Sequence, residues 1–184
     1  MTVARRKAAH AQRGKAENPH DALVLLTAEH NEIDKLAREY ERVRKTANSV
    51  EKGKAALRLC HAFERYAAIK HEVFYPAAHA VLADEDKELL GKSAVKHDGI
   101  QGLIEKIENT SADDPSFDST VTVLCEQAGQ LMKQEEEVLF PRLRHSHLDL
   151  LGTGERMAAR RTELGTAPID RERVRQARKV MSGR

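Results

Sequence analysis

Four segments of the 184-residue chain each set a side chain with metal-binding or acid–base chemistry inside an apolar stripe. They carry His30, Tyr66 together with Lys70, His97, and Glu135. Each lies three or four residues from apolar neighbours, the spacing that gathers residues on one helical face. Imidazole and carboxylate groups projecting inward from helices are how bundles build metal centres. That pair of donor types suits iron, zinc or manganese. One polar residue in such a stripe is ordinarily a hydrogen-bonded core residue. Recurrence on four segments points to a shared site.

The elements that must position these groups are legible from the same periodicity. Leu23, Leu26, His30, Ile33, Ala37 and Tyr40 form a first stripe, and Leu59, Phe63, Tyr66, Lys70 and Val73 a second. Leu90, Ala94, His97, Ile100 or Gln101, and Ile104 form a third; Val121, Leu124, Ala128, Leu131, Glu135 and Val138 form a fourth. Breaks fall at Asn48-Ser49, at Ala83-Asp84, and from Ser111 to Ser116. Strand patterning is nearly absent. The spacing predicts an all-α, up-down-up-down four-helix bundle, with an additional short C-terminal helix over residues 149–163.

The bundle also contains a repeat. Glu72-Val73-Phe74-Tyr75-Pro76 echoes Glu137-Val138-Leu139-Phe140-Pro141. Relative to their prolines, Lys70 pairs with Glu135, Tyr66 with Leu131, and Cys60 with Cys125. Upstream, Glu29-His30-Asn31-Glu32-Ile33 matches Lys96-His97-Asp98-Gly99-Ile100. Two related helix hairpins, facing each other across a pseudo-two-fold axis, are expected.

The net charge of +2 conceals a division. Residues 1–20 and residues 165–184 each carry a net +4, while residues 21–164 hold 20 basic against 26 acidic side chains, a net −6. The organisation expected is a basic N-terminal tail (1–18), a helical bundle (19–164) and a basic C-terminal tail (165–184), in which Pro168, Ile169 and Asp170 could open a helix reaching Met181. No apolar run approaches the ~18 residues of a membrane span. The first 20 residues lack the apolar stretch of a secretory signal and the serines of an organelle presequence. Two cysteines fit a reducing compartment, and a cytoplasmic protein is expected. A Gly-rich phosphate loop, a Cys-x-x-Cys pair and a nucleophile elbow are all missing.

From Asp21 to Glu163 the sequence resembles the hemerythrin-like family of HHE cation-binding proteins. The resemblance rests on Asp21-Ala22-Leu23 through Glu29-His30, on Phe74-Tyr75-Pro76-Ala77, on Asp113 to Asp118, and on Glu135-Glu136-Glu137 through Phe140-Pro141. It implies a four-helix bundle holding two non-haem irons, with ligands in the order His, His-x-x-x-Glu, His, His-x-x-x-Glu. Carried over by position, His30, His97 and Glu135 match; Tyr66, Lys70 and Leu131 stand where ligands would be. Lysine removes a bridging carboxylate and adds a positive charge, and leucine cannot bind a metal. Tyrosine can ligate iron(III) as phenolate. The remaining candidate ligands are His30, His97, Glu135 and Tyr66, enough for one altered iron site or none, and an intact di-iron centre is not expected.

Alternatively, the Lys70 ammonium stands where metal charge would be, paired with Glu135 and hydrogen-bonded by Tyr66 and both histidines. His61 and His71 lie about 100–140° around the helix from the stripe, so a shifted register or a local helix distortion would be needed to bring His71 inward. His79, His145 and His147 fall near helix ends, where solvated roles are expected, and Glu136 and Glu137 are expected in solvent. Cys60 and Cys125 read as small buried hydrophobes, with a disulfide as the lesser reading.

Three functions follow. The first is a hemerythrin-like binding or regulatory protein, not an enzyme, whose dimetal site is incomplete. The second is a non-haem metal protein that binds or senses O2, NO or peroxide at an altered, mononuclear site. The third is a module whose basic tails contact an acidic partner or polyanion, although seven aromatic residues and no tryptophan offer little for base stacking.

Overall fold

The computed structural model describes residues 18–165 and Val174. The expected basic tails and the segment from Pro168 to Met181 therefore lie outside the described residues, apart from Asn18, Gly165 and the helical, buried Val174. Among the described residues all regular structure is helical. Helix α1 spans Ala22–Val43, α2 Ser49–Ile69, α3 Tyr75–Val81, α4 Asp84–Glu108, α5 Phe117–Gln134, α6 Phe140–Arg144 and α7 Leu150–Leu164. None is long and apolar enough to cross a membrane.

Helix starts follow local chemistry. The Asp21 carboxylate accepts from the Leu23 and Val24 amides, the Asn48 side chain from the Glu51 amide, and Asp149 from the Gly152 amide. Each satisfies amides that a helix N-terminus leaves without a backbone partner. The four long helices pack α1 on α2 and α4 on α5, and contacts of α2 with α4 and of α1 with α5 join the pairs. Their stripes meet in one core that includes Leu23, Leu26, Ile33, Tyr40, Leu59, Phe63, Leu90, Ile100, Ile104, Leu124 and Leu131. At the third stripe Ile100, rather than Gln101, is the fully inward residue.

Twice the α-helical register is interrupted. Residues Lys70–Phe74 join α2 to α3 through a π-helical turn, and Glu135–Leu139 join α5 to α6 in the same way. The Tyr75 amide donates to the Lys70 carbonyl and the Phe140 amide to the Glu135 carbonyl, five residues back. Pro76 and Pro141 supply the reason. A proline has no amide for the carbonyl four residues earlier, and its ring crowds that carbonyl. Widening the turn relieves both conflicts.

The two turns correct the expected stripes. Beyond Lys70 and Glu135 the inward position moves on by one residue, so Phe74 and Leu139 are buried. Val73 is only partly buried and Val138 is 37% exposed.

The expected C-terminal helix is α7, which lies against α1, α2 and the first π-turn. Gly154 lets the backbones touch there: a Cβ at this position would sit 1.8 Å from the His20 carbonyl oxygen. Ion pairs from Arg161 to the buried Glu29 (2.7 Å) and from Arg160 to Glu72 (3.0 Å) fasten the same face.

A buried polar centre in the bundle

Helices α1, α2, α4 and α5 deliver His30, Tyr66, His97 and Leu131 to the interior, and the π-turns deliver Lys70 and Glu135. All are nearly or wholly buried. Lys70 has no exposed surface, and its ammonium donates both to the Tyr66 hydroxyl (3.0 Å) and to Glu135 Oε1. Tyr66 in turn donates to Glu135 Oε2 at 2.5 Å. Ser93, which no sequence pattern marked, donates to Glu135 Oε1 and meets the Tyr75 hydroxyl at 2.9 Å. Both carboxylate oxygens of Glu135 are thus held by protein donors.

His30 closes the network on the α1 side. The one proton of Tyr66 goes to Glu135, so Tyr66 accepts from Lys70 and from His30 Nε2 at 2.8 Å. His30 Nδ1 faces Glu136 Oε1 at 2.6 Å, a second acceptor. His97 Nε2 lies 3.8 Å from Glu135 Oε1.

Two sequence expectations need correction here. His30 bonds Tyr66 and Glu136 rather than Lys70, and His97 Nε2 faces Glu135. Glu136 is also not simply solvated. Its side chain is 43% exposed, yet it reaches His30 because the π-turn rotates it toward α1.

The same effect places His71. The uninterrupted helix would have left it off the stripe, but the Lys70–Phe74 turn buries it completely, with its ring 5.5 Å from that of His97 and 5.0 Å from that of Tyr75. The prolines were the available signal for this, through the helix distortion they impose.

Electrostatics follow the burial. Removal from water pushes the Lys70 ammonium down to about 8, against the opposing pull of Glu135. Burial also opposes charge on Glu135. Lys70, with the His30 and His97 imidazoles facing the carboxylate, outweighs it and holds the carboxyl well below its usual range. Burial and the Glu135 charge keep the Tyr66 phenol protonated far above its ordinary range.

Other sequence candidates are dispersed. His145 bonds the Pro141 carbonyl at 2.6 Å on the surface, His147 is exposed and His79 is partly buried. Cys60 is buried and Cys125 partly buried; neither is in a disulfide, and burial pushes Cys125 up to about 11. Among the described residues, the group of His, Cys, Asp or Glu side chains that gathers ligand atoms within 4.8 Å is His61, Glu64 and Glu108, outside this centre.

An all-helical bundle that concentrates histidine, tyrosine and carboxylate in its core belongs to the class that builds functional centres between facing helices. A family model described as the hemerythrin HHE cation binding domain matches residues 21–143, and the chain belongs to that family. Comparisons with curated proteins and with solved structures gave no match.

Proposed function

We propose that this chain is a hemerythrin-like binding or regulatory bundle, without enzymatic turnover, in which a buried ion-pair network takes the place of the family's dimetal centre. The observation that carries this reading is the wholly buried Lys70 ammonium bonded to both Tyr66 and Glu135. Two dications need bridging carboxylates. Here one such position is a cation, and the other carboxylate already accepts from Lys70, Ser93 and Tyr66. Tyr66 could bind iron only as phenolate, and its burial beside Glu135 opposes loss of that proton. Leu131 adds an apolar wall. The donor set therefore does not fit two irons, and the Lys70 ammonium balances Glu135 without them.

Elemental analysis of protein expressed with added iron tests this. Well under one metal per chain is expected. The triple variant Tyr66→His, Lys70→Glu, Leu131→His should recover two irons.

A second reading has support from His71. The π-turn adds this imidazole beside His97, enlarging the donors available to one altered iron site with His30, His97, Glu135 and Tyr66. One iron per chain, with a phenolate-to-iron charge-transfer band that Tyr66→Phe abolishes, would establish it and overturn the first.

A further inference from the structure

On the outer side of α2, away from Lys70 and Glu135, three side chains meet the geometric demands of a metal ion. His61 and Glu64 stand three residues apart, which sets them as neighbours on one helix surface. Glu108 is the last residue of α4, a helix that packs against α2. One ligand atom from each lies within 4.8 Å of the other two. We propose that His61, Glu64 and Glu108 form a zinc-type divalent-cation site that clamps α2 to α4.

The donor chemistry suits zinc. One imidazole nitrogen and two carboxylate oxygens are a zinc ligand set, and three protein ligands leave a fourth position for water. Two glutamates supply the charge that a dication requires. Zinc bonds of about 2.0–2.1 Å in a tetrahedron would draw the donor atoms to roughly 3.4 Å apart. His61 is exposed and Glu108 half-exposed, which leaves both side chains room to turn toward an ion.

The site is also prepared on its inner side. Glu64 is only 5% exposed, and the neutral Gln101 amide lies 3.4 Å from its Oε1, orienting the carboxylate along the α2–α4 seam. Hydrogen-bonding partners of this kind fix metal ligands in place. Helix α4 ends at Glu108, so the negative end of its dipole faces the same point and favours a cation. The exposed imidazole gives the ion a route from solvent.

The consequence reaches across the bundle. Helix α2 belongs to the first hairpin of the repeat and α4 to the second, so an ion here ties the halves together. The corresponding positions in the second hairpin are Glu126 and Gly129, which lack the imidazole and the inner carboxylate. The clamp therefore occurs once, without a repeat-related copy, and does not depend on what fills the core.

Calorimetric titration of the chelator-stripped full chain with Zn2+, in excess Mg2+, tests the proposal. One zinc per chain is expected, with a thermal midpoint that rises on addition of zinc. Loss of an outer-shell partner alone weakens metal sites ~10–100-fold, so His61→Ala and Glu108→Gln should each weaken binding at least ~10-fold and remove the thermal response. Both residues are exposed or half-exposed, so the variants should fold, and circular dichroism checks this. His30→Gln, in the core, should bind zinc like the wild type. Absence of binding, binding unchanged by His61→Ala, or binding lost in a folded His30→Gln protein would each overturn the site.

Discussion

At the scale of single residues, the interior is governed by who donates to Glu135. Lys70, Tyr66 and Ser93 all point hydrogens at it, and removing one of them leaves a buried charge short of a partner. Breaking a buried ion pair from one side destabilises by about 3–5 kcal/mol, whereas replacing both partners with apolar residues is often neutral or better. Lys70→Met should therefore lower unfolding free energy by about that amount, and Lys70→Met with Glu135→Leu should restore most of it, as read in urea titrations. The pH dependence has a definite sign. Glu135 is held below its unfolded value, so its contribution is full above about 4.5 and is lost as pH falls toward the folded value. Lys70 works oppositely: between about 8 and 10.5 the unfolded chain keeps a proton that the folded one has released, so stability rises with pH there. Wild type compared with the double variant should show both limbs in the difference curve, and equal curves would refute the assignment. Lys70, Tyr66 and Leu131 were legible in the sequence because the repeat supplied positions to compare them with. Ser93 and Tyr75 were not, since a hydroxyl that serves a buried carboxylate has the same letter as one facing water.

At the scale of elements, prolines and one glycine decide how the core is built. The 3.6-residue period reads each helix correctly up to Lys70 and Glu135, and the π-turns then move every later residue by one position. That is why Val73 and Val138 leave the expected stripes while Phe74 and Leu139 enter them, and why His71 becomes an interior residue. Periodicity cannot register a shift whose cause is a backbone conflict four residues downstream. The prolines encode it, and their effect is felt before them in the chain. The docking of α7 depends on Gly154 in a similar local way. A methyl group there meets the His20 carbonyl and the Ala22 amide, both of them backbone, which cannot rotate aside. Overpacking of this kind costs about 1–3 kcal/mol. Gly154→Ala should lower the thermal midpoint and raise hydrogen exchange in α7 ahead of the four long helices, and an unchanged exchange pattern would show that α7 does not rely on this contact.

At the scale of the whole molecule, charge is arranged against itself: residues 21–164 are net −6, and residues 1–20 and 165–184 are each net +4. Charges at the two ends act together on a polyanion, because each phosphate neutralised releases a counterion. A duplex that engaged about 8 of these charges would give a log–log salt slope near −7. The body alone would be repelled. Simple truncation would confuse the test, since Val174 is buried and its loss would remove packing as well as charge. Replacing Arg5, Arg6, Lys7, Arg13 and Lys15 by glutamine, and separately Arg171, Arg173, Arg175, Arg178, Lys179 and Arg184, keeps the chain length and Val174. Fluorescence anisotropy with a duplex of arbitrary sequence should then show the salt slope falling in each variant and vanishing when both ends are neutralised. Binding that persists with both ends neutral would place the contact on the acidic body, against its field, and would require a specific surface that the charge pattern does not supply. The core is expected to be indifferent to these changes, because Lys70, His30, Glu135 and Glu136 pair with one another inside the bundle. Equal unfolding midpoints for wild type and the doubly neutralised chain would separate the outer charge pattern from the inner one.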